Sequence, residues 1–305
     1  MRVIITGGSG LIGRALTDHL CAEGVEVVVL SRSPSKVLGL PSGARAVGWD
    51  GRSEEGWGDW VDESTAIVHL AGANVADQRW SAARKRVLRD SRIESGRAVA
   101  RAIEAAVERG APPLTLLQGS AVGFYGASGG RTVSEDSEPG QGFLAELCVE
   151  WEASTEGVEA LGVRRTVLRT GVVLSMAGGA LPKMARPFRF FAGGPVGDGR
   201  QVLPWIHRVD QVRAMRFLLD NDSTQGPYNL TAPHPVSNRE LAEVLGKVLR
   251  RPSALPAPAF ALQALFGEMS EILLTGQRAI PQRLEAAGFR FHYPHLEDAL
   301  RDLLR

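Results

Sequence analysis

The sequence predicts an α/β protein built on a doubly wound parallel sheet, followed by a smaller, mainly helical region. Three observations carry that expectation. Short β-branched runs alternate with long helical patterns over residues 1–174; glycines crowd the turn after the first run; and beyond about Gly171 the alternation gives way to a Gly- and Pro-rich tract. Strands separated by helices of that length predict parallel pairing, with helices on both faces of the sheet.

The elements follow in order. "RVIIT" (2–6) is the first strand, and a helix is expected from about Gly10. "EVVVL" (26–30), "ARAVGW" (44–49), "AIVHLAG" (66–72), "LTLLQGS" (114–120) and "RRTVLRTG" (164–171) supply further strands, with long helical stretches at 81–110 and 143–162. The tract 177–207 reads as irregular loops and short elements over a binding cleft. "GPYNLTAP" (226–233) reads as a strand and "SNRELAEVLGKVL" (237–249) as a helix, with Ser237 and Glu240 at capping-box spacing. From about Leu255 the tail reads as two or three amphipathic helical pieces. The expected division is a nucleotide-binding part, 1–174, and a substrate-binding part, 175–305, woven against it.

Composition narrows the function. At 305 residues, with 44% hydrophobic and 23% charged, the chain is of ordinary globular make-up. Lys and Arg total 35 against 34 Asp and Glu, so the overall field gives no reason to expect nucleic acid or a membrane as partner. A small-molecule substrate is expected instead, and oligomeric state is not indicated. Cys21 and Cys148 cannot form a secreted-type disulfide framework and predict thiols of a cytoplasmic protein. No basic segment precedes an apolar one at the start, so no secretion signal is expected. The most apolar later stretch, 258–274, is interrupted by Gln263, Gly267, Glu268 and Glu271 and cannot span a bilayer.

Gly7, Gly10 and Gly13 stand at three-residue intervals behind the first strand and at the start of the first helix. In a βαβ unit such glycines make the tight turn, admit a pyrophosphate to the backbone, and let helix pack on strand. The helix N-terminus then offers its unpaired amides to the phosphates. The second strand ends in Ser31-Arg32-Ser33, with no carboxylate for the ribose 2′-hydroxyl of NAD and an Arg suited to the 2′-phosphate of NADP. NADP(H) is therefore the expected cofactor. Arg32 as a solvated surface residue is the alternative.

Taken together, "TGGSGLIG" (6–13), "HLAGA" (69–73), "GSAVGFYG" (119–126) and "VLRTGVVL" (167–174) resemble the extended short-chain dehydrogenase/reductases, the sugar-nucleotide epimerase group with a Rossmann fold. "RWSAARKRVLRDSRI", "PWIHRVD" and the helical tail resemble its uncharacterised epimerase-family branch, which ends in a small domain of unknown function. The resemblance implies that Thr6, Gly7, Ser9, Gly10, Leu11, Ile12 and Gly13 cradle the pyrophosphate. It implies that Ser31 and Arg32 face the 2′-phosphate, that Leu70, Ala71 and Gly72 line the adenosine side, and that Arg92, Gly119 and Arg169 complete the cofactor site. Ser120 matches the family serine that hydrogen-bonds a reacting oxygen.

The pattern then departs from the family. Active members carry Tyr-x-x-x-Lys on the helix after that serine, a spacing that puts both groups on one face. Here the helix is "FLAELCVEWEAS", and the four lysines, Lys36, Lys85, Lys183 and Lys247, are preceded at that spacing by Arg32, Ser81, Gly179 and Glu243. Alignment on Glu152 places Leu144 and Cys148 where Tyr and Lys belong. Tyr125 is the nearest surviving phenol and the candidate substitute acid/base. Arg79 with Trp80, and Arg200, Trp205 and His207, are candidate substrate contacts, each with a solvated or packing role as the alternative. No metal is expected, because His207 and Asp210 lack a third ligand. Two functions stay open: an NADP(H)-dependent oxidoreductase or epimerase-like enzyme acting on a small polar or nucleotide-linked substrate without the usual relay, or a regulatory or redox-sensing protein that holds the dinucleotide.

Overall fold

A computed structural model describes residues 1–304. Strands β1 (Arg2–Thr6), β2 (Glu26–Ser31), β3 (Ala44–Gly48), β4 (Thr65–His69), β5 (Thr115–Ala121), β7 (Arg165–Thr170) and β11 (Gly226–Leu230) form one sheet, in the order 11-7-5-4-1-2-3. Every pairing in it is parallel. Six short strands pair two by two: β6 (Thr132–Val133) with β13 (Arg278–Ala279), β8 (Val172–Leu174) with β10 (Trp205–His207), and β9 (Val202–Leu203) with β12 (Val236–Ser237).

Both faces of the sheet are dry, and period-two alternation splits the central strands between two cores. Val3, Ile5, Val27, Val29 and Val68 face helices α1 (Leu11–Ala22) and α5 (Arg208–Asp220). Ile4, Val28, Leu30 and Ile67 face α2 (Ala82–Glu108), which meets them with Ala98, Val99, Ala102, Ile103 and Ala106. Small residues at that spacing let α2 lie close. Against α3 (Phe143–Ala153) the approach is closer still, since a Cβ at Gly96 would sit 2.0 Å from Ser154 Oγ.

The stretch 143–162, expected as one helix, divides. After α3 the chain tightens into a 3₁₀ turn, Glu156–Leu161. Thr155 causes the break: buried, it gives its hydroxyl to Gln118 Oε1 (3.1 Å) and accepts from Arg165 Nε (2.9 Å). Beyond residue 175 the chain does not leave the sheet, because β11 pairs with β7 at its edge and α5 packs on α1. A third core joins α4 (Leu181–Arg189), α6 (Asn238–Leu249) and α10 (Leu296–Leu304) through Phe188, Leu241, Leu245, Leu296 and Leu300. Ser237 and Glu240 close the expected capping box on α6. The tail holds α7 (Ala259–Phe266), α8 (Glu271–Leu274) and α9 (Gln282–Ala286) before α10. Among the described residues no helix is long and apolar enough to cross a membrane.

Candidate active site at the carboxyl ends of the strands

The turn after β1 is built so that only glycine fits at two of its positions. Gly7 has φ +69°, and a Cβ on it would lie 2.9 Å from the Leu70 carbonyl group. Gly13 sits under the turn, where a Cβ would be 2.6 Å from both Gly7 O and Gly8 Cα. Gly10 differs. Its φ is −77°, a Cβ there would approach only Gly7 O, at 3.2 Å, and no side chain caps α1. The N-terminal amides of α1 are thus left to a ligand.

That turn forms the floor of a cleft of 830 Å³. Of the residues expected to bind cofactor, Gly7, Ser9, Gly10, Ser31, Arg32, Leu70, Ala71 and Gly72 line it together. Lys36 and Arg52 line it too. Sequence reading missed both: Lys36 sits in the short 3₁₀ turn, Pro34–Lys36, that follows Arg32, whereas Arg52 reaches the cleft only because β3 pairs with β2. Arg52 is paired with Glu94 at 2.8 Å, and Asp50 and Asp90 also line the cleft, which leaves Arg32 and Lys36, next to glycine backbone, as the cations that fit a phosphate-rich dinucleotide.

Several expected cofactor contacts act from behind the cleft. Thr6 is fully buried; its hydroxyl accepts from the Leu70 and Ala71 amides, both at 3.1 Å, and so donates to His69 Nδ1 at 2.7 Å. His69 Nε2 then carries the proton and faces Ser95 Oγ at 3.3 Å. Thr6 therefore positions the 70–72 wall and does not itself form part of the cradle. Leu11 packs against Gly178 and Gly179, and Ile12 joins the core under the sheet. Arg92 is buried, donates to the Ala73 carbonyl at 3.0 Å, and stacks over Trp151, which braces the same wall. A Cβ at Gly119 would meet His69 O at 2.7 Å and the Trp151 ring at 3.1 Å, so that glycine serves packing.

Burial, with the Arg92 charge adding to it, pushes His69 down to about 3. The native state then stays neutral at His69 while an unfolded chain takes a proton below its ordinary value near 6.5. The stability this group supplies is complete above pH 6.5 and is lost as pH falls toward 3, by about 1.4 kcal/mol per pH unit within that window. Urea titrations between pH 7 and pH 5 should show a shallower pH slope for His69→Gln than for the parent protein. Equal slopes would place the acid sensitivity elsewhere.

At the end of β5, Ser120 Oγ donates to Glu152 Oε1 at 2.6 Å. Arg169 holds the same carboxylate with two bonds, Nε to Oε1 at 2.9 Å and Nη2 to Oε2 at 3.0 Å. Arg169 was expected to touch cofactor; it lies instead behind Glu152, over the Phe124 ring, and donates to the Tyr125 hydroxyl at 3.2 Å. Tyr125 is buried and donates to Asn229 Oδ1 at 2.7 Å. Burial, partly offset by Arg169, raises its pKa, so the phenol stays protonated. Tyr125 thus has its hydroxyl engaged by both Asn229 and Arg169 within this network. Leu144 and Cys148, the residues aligned with the missing Tyr and Lys, both face Gly123, with Leu144 Cβ at 3.5 Å and Cys148 Sγ at 3.7 Å from a Cβ placed there. Burial pushes the Cys148 thiol up to about 11, too high for a neutral-pH base.

The expected substrate contacts do not converge. Trp80 is buried, bonds the Val75 carbonyl at 2.9 Å, and packs edge-on against Phe143. Trp205 is wholly buried in the third core, its indole N–H on the His234 carbonyl at 3.1 Å. His207 caps α5 by accepting from the Val209 amide at 3.1 Å and stacks on Tyr293. Its Nε2 approaches Asp302 Oδ2 at 3.2 Å without hydrogen-bond geometry. Burial lowers its pKa against the raising effect of Asp302. These three are packing residues. Arg200 is a solvent-exposed side chain near Asp198, and exposed Arg79 reaches the Gly267 backbone. Among the described residues no group of three His, Cys, Asp or Glu side chains could hold a metal ion.

A glycine turn opening α1 stands at the carboxyl end of the 3-2-1-4-5 core of the sheet. The pattern of the NAD dependent epimerase/dehydratase family matches residues 3–231, and that of a domain of unknown function (DUF1731) matches 257–303. The chain belongs to the NAD dependent epimerase/dehydratase family. It is 42% identical over 299 residues to the epimerase family protein MT2273 of Mycobacterium tuberculosis, covering 98% of this chain and 96% of that one. It is 38% identical over 307 residues to YfhF of Bacillus subtilis, covering 100% and 98%. The crystal structure of human epimerase family protein SDR39U1 with NADPH superposes with a TM-score of 0.88 at 35% identity, covering 99% of each chain. As in that structure, the Rossmann-like sheet is followed by a helical C-terminal region.

Proposed function

We propose that this epimerase-family protein binds NADP(H) in the 830 Å³ cleft and is an oxidoreductase or epimerase-like enzyme acting on a carbonyl or alcohol group. The observation that carries the reading is Ser120 Oγ at 2.6 Å from a carboxylate that Arg169 fixes from behind. The nicotinamide supplies and accepts hydride when bound. In the oxidative direction Ser120 Oγ accepts from the substrate hydroxyl while its own proton is donated to Glu152 Oε1, so the hydroxyl proton passes to Oγ as the Ser120 proton passes to Glu152; in the reductive direction a protonated Glu152 returns that proton to Oγ and Ser120 gives its own to the substrate oxygen. This pair stands in for the missing Tyr and Lys. NADPH in the human relative, and Arg32 and Lys36 on the cleft wall, support NADP(H) over NAD(H).

Arg32→Glu should narrow or reverse a preference for NADPH over NADH. Loss of one charge-assisted partner is worth about 1.5–3 kcal/mol, or roughly tenfold to a hundredfold in affinity. Calorimetric titrations giving equal affinities for both cofactors in the parent protein would defeat the assignment.

For the chemistry, nicotinamide absorbance is followed across a panel of carbonyl compounds and quinones. Ser120→Ala should keep NADPH affinity and lower kcat by about a hundredfold, as loss of one oriented donor does. Turnover that survives the substitution intact would remove Ser120 from the reaction. Leu144 and Cys148 at the relay positions favour a second reading, a redox sensor. Its signature is no turnover with any compound, together with unequal affinities for reduced and oxidised cofactor that shift partner binding by the same ratio.

A further inference from the structure

A second cavity, of 430 Å³, lies among α4, α6, α7 and α8 and differs in chemistry from the cofactor cleft. Its inner wall is Phe188, Leu241, Ala242, Leu245 and Met269, all buried. Only Lys183 and Asn238 contribute polar side chains, and Asn238 Oδ1 already accepts from the Val196 amide at 2.7 Å. Such a wall has nothing to pair with sugar hydroxyls or a diphosphate, whose unpaired burial is costly. The volume falls in the range, about 300–1,000 Å³, that encloses a small organic ligand.

The surroundings of the mouth say what kind of ligand. Ala76, Lys183, Pro187, Ala192 and Leu255 are the exposed part of the lining; the segments 181–197 and 250–267 carry five cations, and of the carboxylates that border the mouth, Asp198 lies near Arg200 and Glu268 is paired with Lys85, while Asp77 stands beside Ala76. Lys183, Arg186, Arg189, Arg250 and Arg251 are all exposed, and among the described residues none has an ion-pair partner. The two segments are locked together: the Leu255 amide bonds the Gly193 carbonyl at 3.1 Å, and Arg251 stacks on Phe191 at 4.6 Å. Helix α7 is apolar except for Gln263, yet none of its residues is buried; Leu262 and Phe266 line the cavity while Phe260 and Leu265 stand in solvent. An apolar helix so placed covers a site more than it fills a core. Among the described residues, Phe191 (φ +59°) and Arg250 (φ +53°) are the two non-glycine residues in the left-handed region, and both belong to this frame. Arg250 is the left-handed C-cap that ends α6.

We propose that this cavity binds a single-chain amphiphile with an anionic head: the hydrocarbon chain lies against Phe188, Leu241 and Leu245, and the head meets Lys183 at the mouth. Binding needs neither the dinucleotide nor the reaction proposed above. The probe is dodecanoate, titrated calorimetrically below its micelle-forming concentration into the full-length protein, with dodecanol and dodecyltrimethylammonium alongside. Dodecanoate should bind saturably with one site per chain, and the cationic surfactant at least about tenfold more weakly. Ala242→Trp should fill the cavity and abolish binding with NADPH affinity unchanged. Lys183→Glu, at an exposed position that leaves the fold alone, should weaken dodecanoate about tenfold and leave dodecanol within about twofold. Absence of saturable binding, or equal binding of the cationic surfactant, overturns the proposal. So does a dimer dissociated by Leu265→Asp, which assigns the face to a second copy. Binding to anionic vesicles without binding of soluble dodecanoate assigns it to a bilayer and overturns it equally.

Discussion

Glu152→Ala should cost about 3–5 kcal/mol of folding stability, far more than an ordinary surface ion pair would. Side-chain exposure is 14% at Glu152 and 6% at Arg169, so the guanidinium left behind could not recover its charge partner from water. It would retain only the Tyr125 hydroxyl and the Glu135 carbonyl, each at 3.2 Å, as acceptors. Neither carries the charge that offsets its desolvation. The cost therefore belongs to the stranded cation, and removing the cation should return most of it. Glu152→Leu combined with Arg169→Leu should lie close to the parent protein, since a buried pair is often replaceable by apolar side chains. Urea midpoints at constant m-value, read as a double-mutant cycle, measure this. A loss under about 1 kcal/mol for Glu152→Ala would mean that water reaches Arg169, and the reading of Glu152 as a fixed proton acceptor for Ser120 would fall with it.

That pair also marks the limit of what the sequence made legible. The strands before Gly171 and the glycine turn were readable because their signals are local: β-branched runs, three-residue glycine spacing, and an Arg at a strand end. Glu152 and Arg169 are 17 residues apart on α3 and β7, and no periodicity links them; only the sheet brings them together. The reverse error came from residues whose chemistry looked functional out of context. Trp80, Trp205 and His207 carry polar atoms that a ligand could use, yet both indole N–H groups and His207 Nδ1 are spent on nearby backbone groups once the side chains are buried, and His207 Nε2 faces Asp302. Thr6, Arg92 and Gly119 were found in the right neighbourhood but one layer behind the cleft. Motif matching locates a neighbourhood; which atoms face the ligand is settled by packing. The apolar cavity under α7 was invisible for a related reason, since its walls come from four helices that read separately as ordinary amphipathic pieces.

Gly10→Val and Gly13→Val should both abolish NADPH binding, for different reasons that can be told apart. At Gly13 the added Cβ would be 2.6 Å from Gly7 O and from Gly8 Cα, backbone atoms of the tight turn that cannot step aside without moving β1 against α1. That variant should lose fold stability by the few kcal/mol typical of overpacking, and binding with it. Gly10 has an ordinary φ of −77° and a single contact, at 3.2 Å, so valine fits the chain with a shift of a few tenths of an ångström. Its methyl groups then project from a residue that lines the cleft, into the space a pyrophosphate needs beside the α1 amides. Losing two charge-assisted hydrogen bonds to those amides amounts to about 3–6 kcal/mol, on the order of a hundredfold to ten-thousandfold in affinity. Gly10→Val should therefore melt within a few degrees of the parent protein while showing no measurable heat on NADPH titration. A folded Gly10→Val protein with unchanged affinity would mean that the glycine turn holds something other than the dinucleotide. A Gly13→Val protein as stable as the parent would show that helix and turn are not in the close contact seen here.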